Sequence, residues 1–500
     1  MTRWKHVRTA FLVAIALIVG GNLIQALNGC SGGGPPVGRV AEAIGFDPYP
    51  LSDGNARELA RFNAAFTTYA ADPDNTRQLK HFRDAYKRIL AAYVDEVPAA
   101  RLIDAAVDAV EEGGPAPGSL AATSLVEKAL DGMTAALDPH TVYLNPEELQ
   151  ETELMATGRF GGLGIQVTQE EGLIKVVSPI EDTPADRAGL KTGDRITHVD
   201  GQPVRDMRLM EAVRAMRGEP GTRVRLIVVR GAEAPFDVVL TREIITVRPV
   251  RWRTEGDVGY LRIVSFNERT ADAVEAAMKS LRAELGPGGK GVVVDVRSNP
   301  GGLLDQSLAV ADAFLDGGVV VSMRGRDPAE DRSFRAAAGD VAAGMPIVVL
   351  IDGGSASAAE IVAAALQEQN RATVMGSKSF GKGSVQTVMR LPVEGALKMT
   401  TALYYTPSGE TLQARGVTPD IVLNGDTVDD GERVREADLP GAFGEQGEDR
   451  SRARAALDAA ACPAVGEAGK EDHHLGCAIA LLRAGSTAQF LASVGVRAGI

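Results

Sequence analysis

The sequence predicts a multi-domain α+β protein, and three observations carry that reading. Its 500 residues exceed what one hydrophobic core usually organises. The apolar pattern changes along the chain from a helical period to short β-branched runs, and then to strands that alternate with helices. Finally, hydrophobic residues make up 45% and charged residues 24% of the chain, the proportions of an ordinary globular protein. The net charge of -13, with no cluster of Lys and Arg, lacks the electrostatic footprint of a nucleic-acid binder, and nucleic acid is excluded as a partner.

Residues 1–31 read as a signal peptide or membrane anchor. Arg3, Lys5 and Arg8 precede the apolar run Ala10 to Val19, the order of charge and hydrophobe found in export segments. Leu27-Asn28-Gly29-Cys30 follows and loosely resembles a lipoprotein cleavage box, so cleavage, acylation and simple anchoring all stay open. Either way the chain is expected to leave the cytoplasm for the bacterial periplasm or cell envelope, with an inner-membrane tether as one outcome. Residues 32–58 form a Gly/Pro-containing linker.

Residues 59–150 are expected to be helical, because Leu79, Phe82, Tyr86, Ile89, Leu90 and Tyr93 recur at helical spacing, as do Leu102, Ile103, Ala106, Val107 and Val110. The Pro/Gly segment from Gly113 to Gly118 interrupts them, and a helix from about Ser124 to Leu137 leads into Asp138-Pro139-His140-Thr141. His140 sits in a Pro-containing turn and is assigned a structural role. Residues 158–247 alternate short strands, such as Leu173 to Pro179 and Thr222 to Val229, with two short helical pieces, which describes a compact α+β module. In residues 248–424 the strands are continuous apolar runs, as in Val292-Val293-Val294, which implies a sheet covered on both faces. Residues 425–500 form a charged C-terminal extension that ends in an Ala/Leu-rich helical stretch and suggests no function. Cys462 and Cys477 are close enough in sequence for an exported protein to join them as a local staple. His473 and His474 lie between them, but two adjacent His lack the spacing of zinc ligands, so no metal is expected there.

Three turns could do chemistry. Asp352-Gly353-Gly354-Ser355-Ala356-Ser357-Ala358 leaves a buried strand and enters a helix, and unpaired N–H groups at a helix N-terminus would stabilise an oxyanion. Taken alone, a serine there reads at least as well as a helix cap. A serine hydroxyl needs a base, and no His is suitably spaced. Lys382, between Gly381 and Gly383, is the alternative, since burial would lower its pKa toward working pH, and the Gln386 amide could orient its amine. Asp295-Val296-Arg297-Ser298-Asn299-Pro300-Gly301-Gly302 is a second strand-to-helix turn whose glycines could aim N–H groups at the same point.

Together, and in this order, the three turns resemble those of the carboxyl-terminal processing peptidases, or tail-specific proteases. The similarity runs from about Tyr93 to Leu423 and includes Leu137-Asp138-Pro139-His140, Tyr404-Tyr405-Thr406-Pro407-Ser408-Gly409 and Gly416-Val417-Thr418-Pro419-Asp420. Residues 158–247 resemble a PDZ domain, through Gly161-Gly162-Leu163-Gly164-Ile165, Pro184-Ala185-Asp186-Arg187-Ala188-Gly189-Leu190 and Gly193-Asp194-Arg195-Ile196. The resemblance implies a crotonase-like α/β serine peptidase core with Ser357 as nucleophile, Lys382 as base and Gln386 as supporting amide. It further implies an oxyanion hole from the N–H of Ala358 and of Gly301 or Gly302, and a secondary role for Glu368. The PDZ-like loop Gly162, Leu163, Gly164 and Ile165 would hold a substrate's terminal carboxylate, with the peptide added as a strand. Protein or peptide substrates with accessible C-terminal tails are therefore the expected partners, an adaptor lipoprotein or a homo-oligomer stays open, and no cofactor is expected. This chain departs from the family's frequent Ser-Ala-Ser-Ala-Ser-Glu by carrying Ala359 before Glu360, and it inserts a loop from Gly113 to Ser124. Two other classes compete: a non-catalytic scaffold that sequesters protein tails, and an acyl-CoA enzyme suggested by the crotonase-like core.

Overall fold

A computed structural model describes residues 49–495, apart from Glu171, Glu181, Arg208, Ala232, Val247 and residues 426–433, 446–452, 454 and 467–470. The proposed export segment lies outside the described residues. Helices α1 (Asp53–Tyr69), α2 (Thr76–Ala92), α3 (Ala99–Glu111) and α4 (Ala122–Ala135) open the structure. Ser52 caps α1 by accepting the Asn55 N–H, so the helical region starts at Asp53, inside the stretch expected to be linker. The inserted loop is tied back onto the end of α1, where Ala71 N–H donates to Leu120 O at 2.7 Å and Leu120 N–H to Tyr69 O at 3.0 Å.

Next come β1 (Val142–Leu144) and α5 (Pro146–Thr157), then the small module: β2 (Arg159–Gly162), β3 (Ile165–Glu170), β4 (Leu173–Pro179), α6 (Pro184–Arg187), β5 (Arg195–Val199), β6 (Gln202–Pro203), α7 (Leu209–Met216), β7 (Arg223–Val229), β8 (Phe236–Thr241) and β9 (Glu243–Thr246). Its main sheet runs β3-β4-β5-β7-β8, while β2 pairs with β9, so β3 is an edge strand whose other side pairs with no strand among the described residues.

The last unit comprises β10 (Val250–Glu255), β11 (Val258–Ile263), α8 (Thr270–Leu285), β12 (Gly291–Asp295), α9 (Leu304–Phe314), β13 (Val319–Gly325), β14 (Arg332–Arg335), β15 (Ile347–Ile351), α10 (Ala358–Glu368), β16 (Ala372–Gly376), β17 (Ser384–Arg390), β18 (Ala396–Tyr405), β19 (Ile421–Asn424), β20 (Ala455–Asp458), α11 (His473–Ala484) and α12 (Thr487–Ser493). Seven strands form the central sheet in the order β10-β11-β12-β15-β16-β19-β20, parallel except for the β10-β11 pair. Alternate residues of its strands enter different cores. Val292, Val294, Ile347 and Val349 pack with α8, α9 and α10, while Val293, Val348 and Leu350 pack with α11 and α12.

That second face revises the reading of residues 425–500. Rather than a separate extension, they add β20 in parallel to β19 and lay α11 across the sheet, burying Leu475, Ile479, Leu481 and Leu482. Cys462 and Cys477 are joined as the expected staple, at the N-terminal half of α11. A second sheet, with β18 at its centre, couples the helical region to the core: Leu397, Met399 and Leu403 of β18 pack with α1 to α4, and Ala402 and Tyr404 with the central sheet.

Candidate active site

Ser357 is the residue before α10, and its backbone is held at φ 54° and ψ -111°, a left-handed conformation that side chains other than glycine rarely adopt. Such a residue costs on the order of 1–3 kcal/mol, and it persists only where its surroundings fix it. Here they do. Glu360 Oε2 accepts the Ser357 N–H at 2.7 Å, the Ser357 carbonyl accepts the Ile361 N–H at 3.0 Å, and the preceding Ala356 N–H donates to Asn299 O at 2.9 Å.

That last bond ties the serine turn to the turn after β12. Asp352 does the same from the other side, accepting Ser298 N–H at 2.6 Å and Ser298 Oγ at 2.9 Å, together with its own Gly354 N–H at 2.9 Å. Ser355, the other serine of the motif, is fully buried and donates to Val296 O at 2.8 Å, so it is a structural strut and Ser357 is the serine left half-buried. Between the two turns Gly301 has no room for a side chain, because a Cβ there would stand 3.0 Å from Ser357 Cβ and 3.1 Å from Ala358 N. The two candidate glycines differ in how their N–H groups are used. Gly301 donates to Asn299 Oδ1 at 2.9 Å, whereas the N–H groups of Gly302 and Ala358 have no acceptor among the described residues.

Lys382 lies in the irregular stretch between β16 and β17, and its path is set by the same acid that holds Ser357. Glu360 is wholly buried and accepts four hydrogen bonds: Ser357 N–H at 2.7 Å and Lys382 N–H at 2.9 Å on Oε2, and Ser379 Oγ at 2.5 Å and Gly381 N–H at 2.7 Å on Oε1. One carboxylate oxygen therefore joins the backbones of residues 357 and 382. Burial pushes the Glu360 carboxyl up to about 7 against the pull of those donors. Burial also lowers the Lys382 pKa, assisted by the positive charge of Lys398 and opposed by Glu436, Asp138 and Glu360. Both effects favour an uncharged lysine.

Gln386 Nε2 donates to Ser384 Oγ at 2.9 Å and Thr400 Oγ at 3.2 Å, so only its carbonyl oxygen is left to receive a lysine N–H. Glu368, expected in a secondary role, stands apart from these groups. It ends α10, about 15 Å of helical rise from Ser357, and its carboxylate accepts the Ser408 N–H at 2.7 Å. The acid at the site is Glu360, and its signal in the sequence was an acid three residues after a cap serine, which reads first as a capping box. His140 Nε2 bonds the buried Glu436 carboxylate at 2.8 Å, and the His140 backbone N–H donates to Asp138 Oδ1, in keeping with a structural role. His473 Nδ1 and His474 Nε2 face the carbonyls of Cys462 and Gly425 at 2.9 and 3.0 Å.

In the small module Gly164 takes φ 77°, and a Cβ there would lie 2.2 Å from Thr183 Cβ, so only glycine fits. The carbonyls of Leu163 and Gly164 accept the N–H groups of Ala185 and Ile180, while the N–H groups of Leu163 and Gly164 have no acceptor among the described residues.

Residues 257–423 match the peptidase family S41 profile, and residues 175–230 match a PDZ domain. The chain is 51% identical over 301 residues to the carboxy-terminal-processing protease of Bartonella bacilliformis, covering 60% of this chain and 69% of that one. It is 35% identical over 299 residues to the carboxy-terminal processing protease CtpA of Bacillus subtilis, covering 59% and 63%. Among solved structures, the photosystem II D1 C-terminal processing protease is 28% identical and covers 70% of this chain and 94% of its own, with a TM-score of 0.47. A strand-to-helix serine turn beside a PDZ module thus defines a serine-type peptidase of the PDZ-bearing kind. The chain belongs to peptidase family S41, the carboxy-terminal processing proteases.

Proposed function

We propose that this chain cleaves exported proteins near their C-termini with a Ser357/Lys382 dyad, in the bacterial periplasm or cell envelope. The observation that carries the dyad is the shared acceptor: Glu360 Oε2 takes the N–H of Ser357 and of Lys382, at 2.7 and 2.9 Å. In this mechanism the uncharged Lys382 amine removes the Ser357 proton as the hydroxyl attacks the scissile carbonyl. The oxyanion forms at the head of α10, where Ala358 and Gly302 offer N–H groups that have no acceptor among the described residues. The Lys382 ammonium then protonates the leaving amine, and the base it regenerates activates the water that hydrolyses the acyl-enzyme.

Capture of the substrate tail falls to the PDZ module. The open N–H groups of Leu163 and Gly164 suit a terminal carboxylate, Gly162 and Ile165 flank them, and the unpaired edge of β3 suits an added strand. Binding there raises the effective concentration of the adjacent bond at Ser357. The scaffold and acyl-CoA readings find no observation in their favour beyond the module and the fold.

The test is digestion of an unstructured protein. Ser357→Ala and Lys382→Ala should each lower cleavage by about a thousandfold or more while tail binding persists, and Gly164→Val should raise KM for substrates with a free C-terminus. Cleavage that survives both dyad substitutions would sink the assignment.

A further inference from the structure

Lys382 sits on a stretch without regular structure, so its position depends on whatever grips the neighbouring backbone. Glu360 supplies one grip. A second comes from a segment beyond residue 423, where the family match ends. Arg435 Nη1 donates to Ser379 O at 3.0 Å, and Glu436 N–H donates to Phe380 O at 3.2 Å. The Glu436 side chain is also linked to the residue after the lysine: its Oε1 accepts Gln413 Nε2 at 2.8 Å, and Gln413 Oε1 accepts the Gly383 N–H at 2.9 Å. Gly383 must be glycine for this approach, since a Cβ would lie 2.1 Å from Gln413 N.

Glu436 is wholly buried, and its remaining bonds go to His140 Nε2 at 2.8 and 2.9 Å. A buried carboxylate is an inefficient way to gain stability, because apolar residues of similar volume commonly do as well or better. Its placement on both flanks of Lys382 supplies another reason for its presence.

We propose that Glu436 is a positioning residue for the peptidase reaction, fixing the Lys382 stretch through Gln413 and through the backbone of Phe380. The inference rests on Lys382 being the base. The charge of Glu436 reaches the lysine as well. Lys382 is faced by Lys398 from β18, Asp138 from the turn before β1, Glu360 from α10 and Glu436. Glu436 in turn is faced by His140, Gln413 and Lys382, with Arg435 beside it in the chain. A negative charge near Lys382 favours its ammonium, so neutralising that charge should let the amine stay uncharged at lower pH.

The experiment measures kcat against pH for the full chain, using casein as an unstructured substrate, in wild type, Lys382→Ala, Glu436→Gln and Gln413→Leu. Glu436→Gln should move the acid limb down by about one pH unit and lower the plateau about tenfold. Gln413→Leu keeps the charge but cuts the link to Gly383, so it should lower the plateau and leave the limb in place. Unchanged profiles in both, with Lys382→Ala inactive, overturn the proposal and leave the dyad standing. Activity in Lys382→Ala overturns the dyad, and this proposal with it. Should thermal melting show that Glu436→Gln does not fold, an unchanged plateau in Gln413→Leu is sufficient to overturn the proposal.

Discussion

The serine turn and the lysine stretch reach the same place by different means. Ser357 lies between a buried strand and a buried helix, and it is locked by its neighbours in the chain and by the turn after β12. Lys382 has no such frame. Three separate parts of the chain hold the residues around it: Glu360, Gln413 and the adjacent pair Arg435 and Glu436. In the proposed dyad the serine is built into a local motif, whereas the lysine on its irregular stretch must be placed by tertiary contacts, and those contacts are where the site can be tuned or broken.

Glu360 belongs to both regions, so its removal should have the largest effect. Glu360→Ala leaves four donors without their acceptor, at a cost of about 1–3 kcal/mol for each one that stays buried. It also frees residues 357 and 382 to separate, and kcat should fall about a hundredfold or more. The pH dependence has a definite sign. The carboxyl is pushed up to about 7 from its ordinary 4.5, so ionising it opposes folding, and the wild type should give up stability as pH rises through that window. Chemical denaturation at several pH values checks this, because a variant without the carboxyl lacks that slope. If kcat in Glu360→Ala stays near wild type, the serine and lysine turns are held independently.

An intermediate effect is expected on the serine side. Arg297, in the turn after β12, is paired with the buried Asp295 and, at 2.7 and 3.0 Å, with Asp472 at the start of α11. Asp472 lies between Cys462 and Cys477, so the disulfide loop reaches the turn that carries Gly301 and Gly302. Burial disfavours the Asp472 carboxylate, but the Arg297 hydrogen bonds and charge more than offset this and hold its pKa below the usual range. A depressed carboxyl contributes stability above its unfolded pKa and loses it as pH falls through the folded one. Asp472→Asn should therefore be less stable than wild type at neutral pH, with the difference closing in acid. Because Asp295 still holds Arg297, kcat should fall only about threefold to tenfold. Thermal melts across the acid range, read beside kcat, separate the two effects.

These contrasts mark what could be read from sequence. The central strands were legible because a sheet covered on both faces writes continuous apolar runs such as Val292 to Val294. The turns that carry the candidates Ser357 and Lys382 stood out through their small residues and glycines, and at Gly301 and Gly383 the structure gives the steric reason for glycine. The role of residues 425–500 was not, since β20 is a four-residue strand whose place is set only by pairing with β19. Gln413 and Glu436 carry no local pattern either. They lie 23 residues apart, and only the folded chain brings them together across Gly383.

Glu368 provides the smallest expected effect and the sharpest check on locality. It shares α10 with Ser357 and Glu360, yet it stands at the opposite end, about 15 Å away by helical rise, where it accepts the Ser408 N–H of the turn after β18. Glu368→Ala removes one exposed hydrogen bond from a turn, which is worth about 1 kcal/mol or less. Its kcat should stay within about twofold of wild type, and its melting temperature should fall slightly. Helix α10 is buried along most of its length and packs against the central sheet, so it can move as a rigid rod. A tenfold loss of kcat would mean that displacing the far end of that rod shifts Ser357, and that the serine turn is no more self-contained than the lysine stretch.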